Sequence, residues 1–375
     1  MMNCRQLKRR LFASIGLRLS CGGLLLLLAA CASSGLPHEE VASSAPSKPA
    51  ADPVAVFDAL WNTFHEKYAF FALRGLDWQR QGRSFRARVT TDTSPDELYN
   101  LLCEMLQPLG DGHVTLDRGD DDEFSADFPT PFYEEFDDDA DIERLFEISA
   151  LTLSRAGFAA LTEQAEVLEY SRSPKLGYLR IKEFEGVPVA RIAEALDQIL
   201  FEFRGVRGLI IDVRNNPGGE DSVAYAIANR FVPAKRVGHI KISKIGAGPD
   251  DFGPSETWFL EPKGSKPFLA PIALLVNDSA CSAAEVFALA MGHLPQVTIV
   301  GNRTNGIFSD MFDAELPNGW ELTLSDQKYF SAKGVCYERY GVPVDHKVLN
   351  TKADLRSKTD SVITVALDLL AKTVP

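Results

Sequence analysis

Gly208-Leu209-Ile210-Ile211-Asp212-Val213-Arg214-Asn215-Asn216-Pro217-Gly218-Gly219 runs from an apolar segment straight into a turn. Leu209 to Val213, interrupted by one acid, suits a strand buried on both faces, as in parallel sheets covered by helices. The paired glycines that follow let backbone N–H groups face a ligand, because no side chain blocks the approach. A generic Gly-Gly turn explains the same pair, so the neighbouring segments have to decide. Ahead of it, Gly177 to Ile181 reads as a strand, and Ile192, Leu196, Ile199, Leu200 and Phe203 form a helical stripe within 189–203. Behind it, Ile272 to Val276 and Val297 to Val300 are further apolar runs, separated by a helix from about Ser282 to Gly292. Strands alternating with helices predict a layered α/β core over 176–375.

Further outward, residues 53–112 read as a helical subdomain. Val54, Phe57, Leu60, Trp61, Phe64 and Tyr68 recur at helical spacing. Ser94-Pro95-Asp96-Glu97 is the start signal of a second helix, with a capping serine, a proline in the first turn and a glutamate three residues on. That helix should bury Leu98, Leu101, Leu102, Met105 and Leu106 and stop at Gly110. Residues 113–175 form the connecting region. It contains two acidic bursts, Asp120 to Glu123 and Glu134 to Glu143, expected as a solvated, mobile loop. Neither has the alternating oxygen donors and bend glycine of a calcium loop.

The first thirty residues read as an export signal. Arg5, Lys8, Arg9, Arg10 and Arg18 precede the apolar run Leu24 to Leu28, which is too short to cross a membrane comfortably. It ends in Leu28-Ala29-Ala30-Cys31, which resembles the lipobox of bacterial lipoproteins. Lipid on Cys31 would fix the protein to a membrane on the periplasmic or outer side, at the outer membrane if the cell has one. Residues 31–52 follow as an Ala-, Ser- and Pro-rich tether.

The formal charge is −13. Without the first thirty residues, which hold five basic residues and no acid, 34 basic residues face 52 acidic ones. Such a surface repels nucleic acid and excludes it as a partner. Three cysteines, Cys103, Cys281 and Cys336, stay beyond Cys31. None has a C-x-x-C spacing, so they form neither a zinc knuckle nor a disulfide framework, although one disulfide is possible after export.

Three places offer chemistry. In Val276-Asn277-Asp278-Ser279-Ala280-Cys281-Ser282-Ala283-Ala284-Glu285 a buried strand ends, small residues turn the chain and a helix begins. A hydroxyl at Ser282 would sit where free N–H groups and the helix dipole favour developing negative charge, and the Ala283 N–H would serve as an oxyanion donor. A helix-capping serine accounts for the same position. The turn at Gly218 and Gly219 offers the second half of an oxyanion hole. Leu109-Gly110-Asp111-Gly112-His113-Val114 presents an imidazole at a loop-to-strand junction, where a purely structural histidine is the competing explanation.

Together these places resemble the S41 peptidases, the C-terminal-processing and tricorn-like serine proteases. The likeness runs from about Phe57 to the C-terminus. It is carried by the 208–219 stretch, by Ser282-Ala283-Ala284-Glu285, by Asp111-Gly112-His113, and by Glu338-Arg339-Tyr340-Gly341-Val342-Pro343-Val344-Asp345. The resemblance implies a crotonase-like, layered ββα spiral core. It also implies acyl-enzyme hydrolysis of a peptide or protein substrate, with no metal or cofactor. The C-terminal-processing branch uses a Ser–Lys dyad, and its lysine position here is Ile307, which cannot accept a proton. The tricorn-like branch uses serine, histidine and glutamate, which match Ser282, His113 and Glu338, with Asp111 as a second candidate to orient the imidazole. That branch places a serine before the histidine, where this chain has Gly112. No PDZ domain is evident between the histidine region and the core. Cys281, beside Ser282, is a rival nucleophile that the helix start disfavours. Retinoid-binding modules of the eye resemble the same family, so a non-catalytic protein holding an apolar ligand is the alternative. A scaffold that binds a protein partner through the acidic region is a third.

Overall fold

The computed structural model of the chain describes residues 51–119 and 122–373. The export signal, Cys31 and nearly all of the tether lie outside the described residues. Among the described residues no helix is long and apolar enough to cross a membrane.

The helical starts form as their local chemistry dictates. Asp52 accepts a hydrogen bond from the Val54 N–H and opens the helix Pro53–Lys67, which buries Val56, Phe57, Leu60 and Phe64. Ser94 and Glu97 form the reciprocal capping box ahead of Pro95–Leu106. These two helices and Trp78–Arg86 do not close a core alone. A hairpin from far along the chain, Met311–Glu315 and Glu321–Ser325, brings Leu316, Trp320, Leu322 and Leu324 into it. The hairpin joins Thr115–Asp117 and Glu123–Ser125 in a four-stranded antiparallel sheet, with Thr115 opposite Thr323. That pairing carries the segment around residue 113 toward the C-terminal half.

The main sheet has seven strands. Five run parallel, in the spatial order His346–Lys347, Val297–Gly301, Ile272–Val276, Gly208–Asp212 and Leu176–Ile181. Leu168–Arg172 and Thr162–Gln164 add an antiparallel edge. Alternate side chains leave opposite faces of each strand. Leu179, Ile181, Leu209, Ile211, Leu274 and Val276 pack under the helices Val189–Glu202, Asp221–Ala228 and Ala283–Met291. Tyr178, Ile210, Ala273, Leu275 and Val300 meet Val362, Ile363, Ala366 and Leu370 of the helix Ser361–Thr373 on the other face. The layered α/β core expected from the alternation is therefore present. A three-stranded antiparallel sheet, Gln327–Ser331, Arg236–Ser243 and Glu256–Leu260, lies beside it.

The second acidic burst departs from expectation. It is not a mobile loop but the start of a helix, Asp139–Arg155, capped by Asp138 onto the Ala140 N–H at 2.9 Å. Asp139 and Asp141 stand in its first turn, where negative charge complements the helix dipole. A preceding short helix, Pro131–Glu135, tucks Phe132 and Phe136 against Leu145, Ile148 and Leu355. The acids were legible as charge but not as a helix start, because the apolar residues that anchor them are spread over two elements.

A buried ionic network locks the far face. Arg214 donates to both oxygens of Asp212 (2.9 and 2.6 Å) and to Asp360 (2.9 Å), while Ser149 donates to Asp360 (2.6 Å) and Tyr178 to Asp212 (2.9 Å). Buried charges survive only when paired and hydrogen-bonded on all sides. Arg214 meets that demand by tying the turn after Gly208–Asp212 to the start of the C-terminal helix.

Candidate active site

Ser282 is the residue at which the chain turns from the strand Ile272–Val276 into the helix Ala283–Met291. Its backbone is in a sparsely populated conformation, φ 56° and ψ −126°. Strain of this kind in a non-glycine residue persists only when its surroundings fix it. Here the Ser282 N–H donates to the Ile307 carbonyl (3.0 Å), and the Ser282 carbonyl accepts from Glu285 and Val286 N–H (2.8 and 3.1 Å). Ser282 thus occupies the capping position, but its hydroxyl makes no capping bond. The capping explanation for this serine fails on that point.

Glu285, one helical turn on, holds the partner loop. It accepts from the Thr304 hydroxyl (2.5 Å) and from the N–H groups of Gly306 and Ile307 (2.7 Å each). The loop thereby held includes Ile307, whose carbonyl receives Ser282. Its buried side chain lies so close to Gly112 that a β-carbon there would sit 3.1 Å from Ile307 Cδ1.

The glycine turn lies directly over this junction. A β-carbon on Gly218 would come within 2.6 Å of Ser282 Cβ and 3.1 Å of Ala283 N, and φ there is +95°. Gly219, at φ +129°, abuts the Phe184 backbone at 2.5 Å in the same sense. Only glycine fits either position. The two are not equivalent as donors. The Gly218 N–H already donates to Asn216 Oδ1 at 2.8 Å, so the expectation that it faces an oxyanion is corrected. Among the described residues the N–H groups of Gly219 and Ala283 have no acceptor in the backbone ladder.

His113 is buried and arrives from the opposite side. Its N–H donates to Asp111 Oδ1 (3.0 Å), and its carbonyl accepts from the Thr323 hydroxyl (2.7 Å). Asp111 also accepts from the Tyr68 hydroxyl at 2.9 Å. Arg74, which no sequence signal singled out, bridges this loop to the late acidic segment. It donates to the Gly110 carbonyl (2.8 Å) and to Glu338 Oε1 (3.1 Å), and lies 3.7 Å from Asp111. Glu338 is buried, and its other oxygen accepts from the Phe308 N–H at 3.0 Å. Burial first, and then the charge of Asp111, push the Glu338 carboxyl well above its ordinary range, with Arg74 opposing.

His113 and Ser282 line one cleft of about 500 Å³, together with Gly112, Pro217 and Gly219. Cys281 is buried, with Sγ 3.4 Å from the Pro217 carbonyl, and does not line the cleft. Among the described residues no cluster of His, Cys, Asp and Glu has the arrangement of a metal site. A hydroxyl, an imidazole and the Gly219 N–H around one cleft, with the Ala283 N–H next in the chain to Ser282, suit acyl transfer.

Buried and half-buried carboxyls around this region give the stability a pH dependence. Burial is the leading cause that raises Asp221 and Glu285 to about 7, and Asp127, Asp278 and Asp326 to about 6. These lie above the unfolded values of roughly 4. The folded chain therefore holds extra protons between about pH 4 and 7, and stability falls as pH rises through that window. His239, pushed down to about 3 by burial, and His293, lowered by the same cause, act in the opposite sense below the ordinary histidine value, but they are two groups against six once Glu338 is added to the raised carboxyls. The midpoint of urea denaturation should be higher at pH 5.5 than at pH 7.5; the reverse order would contradict this assignment.

Residues 175–348 match the model of peptidase family S41, and residues 49–107 match the tricorn protease C1 domain. The carboxyl-terminal-processing protease of Synechocystis sp. is 29% identical over 225 residues, 58% of this chain and 49% of its own length. The carboxy-terminal processing protease CtpA of Bacillus subtilis is 26% identical over 168 residues, 44% of this chain and 34% of its own. The chain thus spans half or less of the length of these curated relatives. A crystal structure from Parabacteroides merdae, assigned there as a candidate peptidase, superposes with a TM-score of 0.72 at 29% identity, covering 85% of this chain and 97% of that one. Mature CPAF in complex with lactacystin shares the fold, with a TM-score of 0.62 at 14% identity over 86% of this chain and 99% of that one.

Proposed function

We propose, from the match of residues 175–348 to peptidase family S41 and of residues 49–107 to the tricorn protease C1 domain, that the chain hydrolyses peptide bonds as a serine peptidase of that family, with Ser282 as nucleophile and His113 as general base. The observation that carries the reading is the strained Ser282, its hydroxyl unused as a cap, sharing a cleft with His113. His113 takes the hydroxyl proton as Ser282 Oγ attacks the carbonyl carbon, and returns it to the departing amine. Water then attacks the acyl-enzyme by the same route and frees the carboxylate. The N–H groups of Gly219 and Ala283 receive the oxyanion. Each such donor is worth on the order of 100-fold or more in rate.

Glu338 and Asp111 act as one acidic unit. Asp111 holds the backbone of His113, and Arg74 ties Glu338 to the same loop. Glu338 is hydrogen-bonded to Arg74 and to the Phe308 N–H, so its proposed part in orienting the imidazole rests on the sequence match, while the Ser–Lys dyad is disfavoured because its lysine position is Ile307. Lys241 also lines the cleft, but it is paired with Asp310 at 3.0 Å, and a paired ammonium has no lone pair to offer. The rival reading, a binder of an apolar ligand, fits poorly with a cleft wall that includes Glu185, Glu220, Asp221, Asp310 and Asp313.

The test is labelling with a fluorophosphonate probe followed by peptide mapping. The adduct should fall on Ser282, and an unlabelled, folded protein would reject the reading. We place the enzyme in the cell envelope, held by lipid on Cys31, on the strength of the Leu28-Ala29-Ala30-Cys31 sequence. Labelled palmitate should enter the full-length protein and be lost in Cys31→Ser; incorporation that survives the substitution removes the anchor.

A further inference from the structure

Resting on the reading of Ser282 as nucleophile, we infer that the cleft selects peptides with a lysine or arginine side chain close to the scissile bond, and that Asp221 receives the cation. Asp221 opens the helix Asp221–Ala228 and lines the same cleft as Ser282 and His113. It stands two residues after Gly219, whose N–H is the proposed oxyanion donor. Two peptide steps hold their α-carbons within about 7 Å of each other. Its carboxylate is therefore within one side chain's reach of the bond to be cut.

The carboxylate is also built in. Asp221 Oδ2 accepts from the Tyr329 hydroxyl at 3.1 Å. Tyr329 is stacked on His239 (5.0 Å between ring centroids), which is stacked in turn on Trp258 (5.4 Å). Trp258 lines the cleft as well. Tyr329 and His239 are buried behind it, so Trp258 is the aromatic face open to a ligand. Lys241 Nζ already lies 5.2 Å from that ring, and a second long basic side chain would lay its apolar stem on the same face with its head on the fixed carboxylate.

The charge balance points the same way. Lys241 is the one lysine among the lining residues, no arginine stands there, and Lys241 is matched by Asp310. Glu220 and Asp221 add negative charge beside Gly219, so the cleft concentrates a field that attracts cations. Burial, and next the charge of Asp310, raise the Asp221 carboxyl to about 7, with the Tyr329 bond and Lys241 opposing. A bound cation would relieve that penalty. The plainer explanation of Asp221 is an acid placed to complement its helix dipole; that role predicts no substrate preference.

The experiment compares fluorogenic peptide pairs that differ only by Lys or Gln, placed in turn at the two positions on either side of the scissile bond. In the wild type, kcat/KM should favour Lys by about tenfold or more at one position, the scale of one charge-assisted hydrogen bond. The Lys/Gln ratio should fall to near one in Asp221→Asn and persist in part in Asp221→Glu. A wild-type ratio near one at every position overturns the inference, as does a preference that survives Asp221→Asn. Should that variant not fold, the wild-type ratio between pH 6 and 8 decides. It should rise as Asp221 ionises among Glu220, Lys241, Asp310 and Tyr329, while His113 affects both peptides alike and cancels; a flat ratio counts against it. Fluorophosphonate labelling of the wild type separates the two layers. Labelling without preference removes only the role of Asp221, whereas absent labelling removes the assignment of Ser282.

Discussion

Ser282→Ala is expected to reduce kcat by a factor on the order of 10⁵ to 10⁶, the cost of removing a serine nucleophile that works as a unit with its base. Fluorophosphonate labelling should vanish with it. The fold should not change, for a specific reason. The Ser282 hydroxyl makes no capping bond, and the strained backbone is held by main-chain bonds to Ile307, Glu285 and Val286. Alanine keeps all of these and differs in φ preference little from serine. A melting temperature within a few degrees of the wild type, together with lost turnover, is therefore the predicted pair of results. Full turnover in the variant would show that another group attacks. Cys281→Ala serves as the companion test: labelling at Ser282 should persist, because Cys281 does not line the cleft.

His113→Ala should cost nearly as much, again on the order of 10⁵ to 10⁶ in kcat, since nucleophile and base are not additive. What remains is the oxyanion donors and binding, roughly 10³ to 10⁴ over the uncatalysed reaction. The backbone of residue 113 is held by Asp111 on its N–H and by Thr323 on its carbonyl. Neither bond involves the ring, so truncation leaves the loop in place with a gap facing the cleft. Added imidazole should then restore part of the activity in a concentration-dependent way, and should do nothing for Ser282→Ala. Equal rescue of both variants, or an unimpaired His113→Ala enzyme, would refute the role of general base.

The same residues show why some of this was legible in the chain and some was not. A capping box is decided within four residues, so Ser94 and Glu97 announced a helix correctly. The second acidic burst reads as a loop in the chain because its helix is anchored by Phe132, Phe136 and Leu355, which lie outside that helix. Gly218 and Gly219 stand out in the chain as a pair that either opens the backbone to a ligand or merely turns it, and the close approach of Ser282 and Phe184 is what requires glycine at both. Which of them keeps a free N–H depended on where the Asn216 side chain turned. Arg74 gave no signal at all, since its partner Glu338 is 264 residues away.

Sequence alone determined the alternation of buried strands and helices, the helix starts, the serine at a strand-to-helix turn and the absence of a lysine at Ile307. These are properties of short stretches, where periodicity and capping act over a few residues. Tertiary structure alone decided that Met311–Ser325 crosses over to complete the N-terminal core, and that this pairing sets Thr323 beneath His113. It also decided that Arg74 binds two acidic segments together and that Asp221 shares a cleft with Ser282. Such contacts join residues more than two hundred positions apart in several cases, and no local pattern records them. They exist only because burying both cores brings those distant segments to one place.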